Sequence, residues 1–349
     1  MTTRLELVDP VVDERWAQLV EGRRSDVFHS PQWLRVVGET YGFKLVGAVL
    51  SVDSDAPHAG MVYAEVEDHM DPRIVSIPFS DFCDPLVGDL SEWRQIVDPL
   101  VAGGRRVHVK CLRSRVPMDD ERFQQTGRLL WHAIDTTRDL DEIWMALDTS
   151  ARRAIRKARQ QGLEIKAADG LDDVRAFFEM HLKVRKTKYH LLAQPFEFFE
   201  RIWDTFLEPG SGALLMATIG DEVLGGVLFL EWGDTLYYKF NASAASTLSI
   251  RPNDFVVWAG IEEARRRGLS WLDFGVSDED QEGLVRYKRK YATHEQHVVA
   301  LAARPEGSPS RREQVARRLL NDLTSVLVDP QVPDSVTERA GDLLYRYFT

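Results

Sequence analysis

Residues 251–291, RPNDFVVWAGIEEARRRGLSWLDFGVSDEDQEGLVRYKRKY, decide how this chain is read. Arg251, Pro252 and Asn253 give a polar start to a run over 253–267 that stops at Gly268, the punctuation of a helix. Residues 270–276 then read as a short strand with Asp273-Phe274-Gly275 at its tip, and a second helix over 281–290 carries Tyr287-Lys288. Helix, strand tip and helix in that order make a cleft at one edge of a sheet.

With 349 residues, the length favours about two domains with substantial cores. A net charge of −11 disfavours DNA binding through the whole surface but leaves room for a local basic patch. Cys83 and Cys111 are the only cysteines, with no CxxC and no histidines at metal spacing, so neither a metal site nor a disulfide scaffold is expected. The start, MTTRLELVDPVVDERW, lacks the basic and apolar regions of a signal peptide. The most apolar stretch, 213–232, is broken by Asp221 and Glu222. No membrane span and a cytoplasmic location are the expectations.

Working outward, one or two helices over 12–41 precede strand-like runs at 43–52, 60–65 and 74–78. A turn-rich loop (76–89), a helix (91–101) and strands at 106–112 and 129–134 complete a first α+β unit, residues 1–145. Ser150 or Thr149 is placed to cap a basic helix that stops at Gly162, followed by the strand LEIKAA and helices over 171–189 and 195–206. Three apolar runs joined by two Gly-Asp turns (213–219, 222–231, 235–241) signal an antiparallel meander. After the helix, strand and helix of 251–291 comes a last strand at 296–301, closing a second domain over 146–303. RPEGSPSRRE (304–313) reads as a linker, and 304–349 as a helical tail expected to pack on the body, on a neighbouring subunit or on a partner.

Several residues in this frame can carry chemistry. Arg152, Arg156 and Arg159 share one face of the basic helix, with Lys157 beside them, and guanidinium groups match phosphate oxygens in bidentate fashion. The alternative is a solvated helix face. Asp273 is a candidate to orient or deprotonate an amine; the alternative is an aspartate that caps the turn at Ser277. Lys288, beside Tyr287, is placed to stabilise charge on a carbonyl oxygen, or is a surface lysine of a KRK run. Tyr238, Lys239 and Asn241 end the meander and Asn253 opens the next helix, where asparagines bind an amide or a phosphate or merely cap. Asp-Phe-Gly without a Gly-rich loop, a VAIK lysine or an HRD loop excludes a kinase, and the absence of GxSxG argues against a serine hydrolase.

SPQWL (30–34), IPFSDFCDPL (77–86), RRAIRKARQQGLEI (152–165), TKYHLLAQPFEFF (187–199), YYKFNAS (237–243), RPNDFVVWAGIEEARRRGLSWLDFG (251–275) and GLVRYKRKY (283–291) together resemble the Fem-type branch of the GNAT acyltransferase superfamily. The likeness extends to its polysaccharide-associated bacterial members. It implies two tandem GNAT-like domains, each a mixed, largely antiparallel sheet flanked by helices, followed by a helical tail. It also implies attack of an amine on a thioester or ester carbonyl. On this resemblance Lys288 matches the lysine of the aromatic–lysine motif linked to donor binding and catalysis. Arg152, Arg156 and Lys157 match the basic helix near the acceptor phosphates. Asp81 or Asp84 corresponds to an acceptor contact, and Tyr238, Lys239, Asn241, Asn253, Trp258 and Tyr287 are further substrate-binding candidates.

Two departures bear on the substrate. There is no room between Arg159 and Leu171 for the helical-hairpin arm of Fem proteins that engage lipid II and tRNA. The glycine loop that cradles CoA pyrophosphate is replaced by SIRPNDFV (249–256). The expectation is an N-acyltransferase acting on an amine of a cell-envelope, polysaccharide or small-metabolite acceptor, with acyl-CoA or aminoacyl-tRNA as co-substrate and no tightly bound cofactor. The alternatives are a tRNA-dependent peptide-bond former and a non-catalytic GNAT-like subunit of a biosynthetic complex.

Overall fold

A computed structural model describes residues 3–52, 56–68, 72–303 and 311–349, with side chains from 314 onward in the last segment. The linker expected at 304–313 lies, but for the backbone of its last three residues, outside the described residues. Two compact units are present. The first comprises residues 1–131, 296–320 and 349, and the second 132–295 and 321–348.

In the first unit, β1 (Thr3–Val8) leads to α1 (Glu14–Gly22) and α2 (Pro31–Tyr41). Ser30 accepts a hydrogen bond from the Trp33 N–H to start α2, Pro31 occupies its first position, and Gly42 ends it at φ +66°. Then come β2 (Lys44–Val52), β3 (Ala59–Val66), β4 (Arg73–Val75), α3 (Leu90–Ala102), β5 (Arg106–Cys111) and β6 (Phe123–Asp135). β1, β2, β3 and β4 pair antiparallel in turn, and β4 pairs parallel with β5. The free edge of β5 takes residues 299–303 of a late strand, β12 (His294–Ala303), with Val299 opposite Cys111. Trp93 and Ile96 of α3 pack on Tyr63, Val107 and Leu301 of this sheet to form the core.

The second unit begins with the last residues of β6, then α4 (Leu140–Ala146), α5 (Thr149–Gln160), β7 (Glu164–Ala167), α6 (Leu171–Val184) and α7 (Phe196–Ile202). α6 and α7 each relax into a π-helical turn, at 185–189 and 203–207, where the sequence reads as continued α-helix. The meander follows as β8 (Gly212–Ile219), β9 (Glu222–Trp232) and β10 (Thr235–Ser243), then α8 (Pro252–Arg266), β11 (Trp271–Asp278) and α9 (Glu282–Arg289). Strand order is β11-β10-β9-β8-β7, antiparallel except for the parallel β10–β11 pair.

α8 is apolar on most faces because it is buried on most faces, lying over the sheet beside α5. Its Gly260 allows that approach: a Cβ there would sit 2.4 Å from the Phe229 ring of β9. α10 (Arg311–Leu327) and α11 (Asp334–Leu344) form the tail. α11 packs on α6, where Arg175 pairs with Glu338 at 2.7 Å and the buried Lys186 with Asp334 at 2.8 Å. α10 leaves Val315, Leu319, Leu323 and Val326 exposed. The α+β class expected from the sequence, a mixed sheet with flanking helices and a helical tail, is the one observed.

Candidate functional site

β10 and β11 run side by side for only three residues. Thr235, Leu236 and Tyr237 pair with Trp271, Leu272 and Asp273. Both strands then continue, β10 to Ser243 and β11 to Asp278, without pairing to each other. Two local features drive them apart. On β10, Tyr238 stands opposite Phe229 and Phe240 opposite Leu228, so Lys239 is an extra residue, a β-bulge that bends its strand. On β11, Gly275 takes φ +66°, a left-handed conformation that side chains disfavour. The result is a fork whose apex lies at Tyr237 and Asp273.

Asp273 and Lys288 hold the kinked arm of this fork. The Asp273 carboxylate accepts the Gly275 N–H at 2.6 Å. The Lys288 ammonium, carried by α9, donates to the carbonyls of Gly275 at 3.1 Å and Val276 at 2.8 Å. Both side chains are buried, at 2% and 6% exposure, so neither is the surface group its sequence neighbourhood allows. Asp273 lies in mid-strand rather than at a tip, and the residue it caps is Gly275 rather than Ser277.

The other arm is tied to α8. The Asn241 side-chain amide donates to the Asn253 carbonyl oxygen at 3.2 Å, and the Asn253 amide donates to the Ser243 hydroxyl at 3.1 Å. One residue further along α8, the buried Asp254 accepts the Tyr291 hydroxyl at 2.5 Å. Tyr287 and Tyr238 stand close enough to feel that carboxylate. Burial first, and neighbouring phenols and Asp254 after it, push all three tyrosines above the ordinary phenol range. They remain protonated, so each hydroxyl keeps a proton to donate. Asp254 and Tyr291 were not singled out from sequence: an acid in a helix's first turn looks like dipole compensation until its burial is known.

The basic helix α5 splits its cations between two surroundings. Arg156 lies 5.5 Å from the Trp144 ring centre, and Arg159 lies 6.0 Å from it and 3.4 Å from Glu262. Arg152 contacts Met145 and Thr149. Arg153 and Lys157, one step round the helix, instead line a cavity of about 230 Å³ with Ser150, Ala154, Arg251 and Lys290. Of the phosphate-binding candidates on α5, only Lys157 reaches this cavity; Arg153, Arg251 and Lys290 join it. The helix is capped by Asp148, whose carboxylate accepts the Ser150 N–H, in place of the Ser150 or Thr149 cap expected. A bond from the Ser150 side chain first, then that N–H bond, ahead of the nearby Lys290 and Arg153 charges, hold the Asp148 carboxyl below the usual range. Arg251 adopts φ +67° directly before α8, an uncommon conformation for a non-glycine residue.

Beneath Lys288 sits another pair absent from the sequence reading. The buried His132 ring nitrogen Nε2 lies 2.8 Å from Glu295, which also pairs with Arg289 at 2.6 Å. Burial, and next the Lys288 charge, lower the His132 pKa. The Arg289 bond, with smaller help from His132, brings Glu295 down to about 2.

The remaining candidates are dispersed. Trp258 is buried, packs edge-on against Trp144 with ring centres 4.9 Å apart, and donates to Glu262. The Tyr238 ring stands between Phe229 and Phe274, and the Lys239 ammonium lies 5.8 Å from the Phe240 ring centre. Asp81 and Asp84 belong to the first unit. Asp84 is buried under the turn at 112–114 and accepts the N–H groups of Leu112, Arg113 and Ser114 at 3.1, 2.9 and 2.7 Å. Burial, then the Asp26 charge, raises its pKa against the pull of those three bonds. Among the described residues no cluster of three or more His, Cys, Asp or Glu could hold a metal, and no helix is long and apolar enough to cross a membrane.

The sheet thus opens between β10 and β11, and comparison with known proteins bears on this unit. Residues 147–289 match the family model described as an acetyltransferase (GNAT) domain. That stretch lies wholly within the second unit. Among solved structures, FemX matches with a TM-score of 0.64 at 13% identity, over 90% of this chain and 100% of that one. A tandem GNAT protein from the clavulanic acid biosynthesis pathway gives 0.55 at 10% identity, over 87% and 100%. The C-terminal domain of a putative lysylphosphatidylglycerol synthetase from Agrobacterium fabrum gives 0.55 at 13% identity, over 89% and 95%. No curated protein sequence matches. A GNAT domain match over residues 147–289 and a FemX-like fold over nine-tenths of the chain agree with the Fem-like resemblance read from its sequence.

Proposed function

We propose that the chain is an N-acyltransferase whose fork receives the acyl end of the donor. The observation that carries this reading is the parting of β10 and β11 at Tyr237 and Asp273 inside a GNAT acyltransferase domain. Beyond Tyr237 the β10 backbone has no β11 partner, so an extended ligand can lie against it as an added strand. A main-chain N–H there can polarise the acyl carbonyl, and the buried Lys288 ammonium supplies positive charge beside the developing oxyanion. The amine nitrogen bonds to the carbonyl carbon and the carbon–sulfur or carbon–oxygen bond to the donor breaks. One proton leaves the amine and one reaches the departing thiol or hydroxyl.

In this reading Lys288 and Asp273 set the geometry of the fork, Asn241 and Asn253 fix its opposite arm, and the protonated Tyr238 and Tyr287 serve as hydrogen-bond donors. The acceptor is an amine of a cell-envelope, polysaccharide or small-metabolite compound. Acyl-CoA is the donor suggested by the acetyltransferase family match. A second reading, with aminoacyl-tRNA as donor, draws on the Fem-type fold and on the missing glycine loop at 249–256.

The deciding experiment incubates the full chain with labelled acyl-CoA or charged tRNA and a panel of amines, with and without ribonuclease. Label transfer from acyl-CoA that survives ribonuclease supports the first donor, and transfer abolished by it selects the second. Absence of transfer from both, together with unchanged partner capture by Lys288→Ala, points to the non-catalytic subunit.

A further inference from the structure

We propose that α10 pairs antiparallel with α10 of a second copy of this chain, across a two-fold axis that passes beside Leu320 and Asn321. Val315, Leu319, Leu323 and Val326 are each between 42% and 65% exposed. At 3.6 residues per turn they fall within about 80° of arc on one side of the helix. Thr324 and, just past the helix end, Val328 lie on the opposite side and are buried. The helix is thus seated by one face and presents on the other a continuous apolar stripe about 16 Å long.

The stripe selects its occupant by its own order. Val, Leu, Leu, Val reads alike in both directions. A two-fold between residues 320 and 321 sets Val315 against Val326 of the second copy and Leu319 against its Leu323, and each contact then occurs twice. The polar border obeys the same axis. Arg318 and Asp322 are exposed on one flank of the stripe, and antiparallel pairing brings Arg318 of each copy beside Asp322 of the other. Among the described residues neither forms an ion pair within its own chain, where arginine preceding aspartate is the less favourable order. A parallel pair would instead set arginine on arginine and aspartate on aspartate. A lipid surface favours cations along the polar face, and here an acid stands at the edge of the stripe. An unrelated protein partner would require neither the palindrome nor the charge register.

The test is sedimentation velocity on the full chain at low salt, over concentrations from about 1 to 100 µM, because a short apolar seam is small for a protein interface and reversible dimerisation in the micromolar range is expected. Leu319→Glu/Leu323→Glu changes two exposed positions, so the dilute variant should keep the native melting temperature while its dimer weakens about tenfold or more. Arg318→Asp and Asp322→Arg should each weaken the dimer severalfold, and Arg318→Asp/Asp322→Arg on one chain should recover native association. A chain that stays monomeric throughout overturns the proposal, as does a dimer indifferent to the leucine variant. Single charge variants that associate like the native chain overturn the antiparallel register, and the proposal with it. A monomer that instead binds anionic vesicles, and loses that binding with Leu319→Glu/Leu323→Glu, would give the stripe to a lipid surface and likewise overturn it.

Discussion

Asp273 and Lys288 act on one residue from its two sides: the carboxylate takes the Gly275 N–H at 2.6 Å and the ammonium gives to the Gly275 carbonyl at 3.1 Å. Removing the ammonium takes a donor from the buried Gly275 carbonyl and from the part-buried Val276 carbonyl. Lys288→Met is therefore expected to cost about 2–3 kcal/mol of stability and to reduce acyl transfer by more than that loss explains. Urea unfolding and steady-state kinetics on the same preparation check both. Unchanged turnover sinks the role assigned to Lys288.

Asp273 can be probed by graded replacement. Asparagine keeps an oxygen able to accept the Gly275 N–H, and alanine does not. If the residue shapes the fork, activity falls in the order native, Asp273→Asn, Asp273→Ala. A proton-abstracting carboxylate would give a different pattern, with the asparagine variant as inactive as alanine while its melting temperature stays native.

His181 sets an acid limit to the second unit. It is buried among Phe177, Phe199 and Phe240, and its ring nitrogen Nε2 lies 3.0 Å from the Gln194 side-chain oxygen. Burial lowers its pKa to about 4, against 6.5 for the ordinary imidazole. The unfolded chain thus takes up this proton near pH 6.5 and the folded chain only near pH 4. Its stabilising effect is complete above pH 6.5, declines as pH falls, and is gone below about 4, roughly 3 kcal/mol in all. Urea midpoints at pH 7.5, 5.5 and 4.5 should fall more steeply for the native chain than for His181→Leu. Equal slopes would falsify the assignment.

Gly260 tests the packing of α8 on the sheet. Its added Cβ meets the Phe229 ring at 2.4 and 2.8 Å, and that ring is itself fully buried. Gly260→Ala should lose about 1–3 kcal/mol despite alanine's better helix propensity. A pair with Phe229→Leu should recover part of the loss, which a denaturation double-mutant cycle measures.

The local features of the fold were legible because single residues announce them. Gly220 and Gly233 turn the meander with φ of +56° and +58°, and Gly162 and Gly268 end α5 and α8 at +77° and +73°. β1 was not: TRLELV is short, and its pairing with β2 lies some forty residues on. The fork was hidden for a related reason. Asp273-Phe274-Gly275 marks the place, but where β10 and β11 stop pairing is a fact of two segments separated by a helix. Periodicity put Arg152, Arg156 and Arg159 on one face of α5, yet only the approach of Arg251 and Lys290 shows that Arg153 and Lys157 face the cavity. Asp84 is an acceptor-contact candidate on the family resemblance, and nothing in the sequence shows that three backbone N–H groups also bond to it.

The pairing of β5 with β12 has a bearing on how the chain is made. Val107, Val109 and Cys111 wait for partners at 299–303, and the whole run from 132 to 295 leaves the ribosome before those partners do. At about 5–20 residues per second that delay is on the order of ten to thirty seconds, during which a β-branched edge stands open. Nascent chains stalled short of residue 299 should therefore be cut by protease within 1–131, and chains released beyond 303 should resist. Synthesis of this protein thus passes through a window in which a holdase chaperone has most to offer.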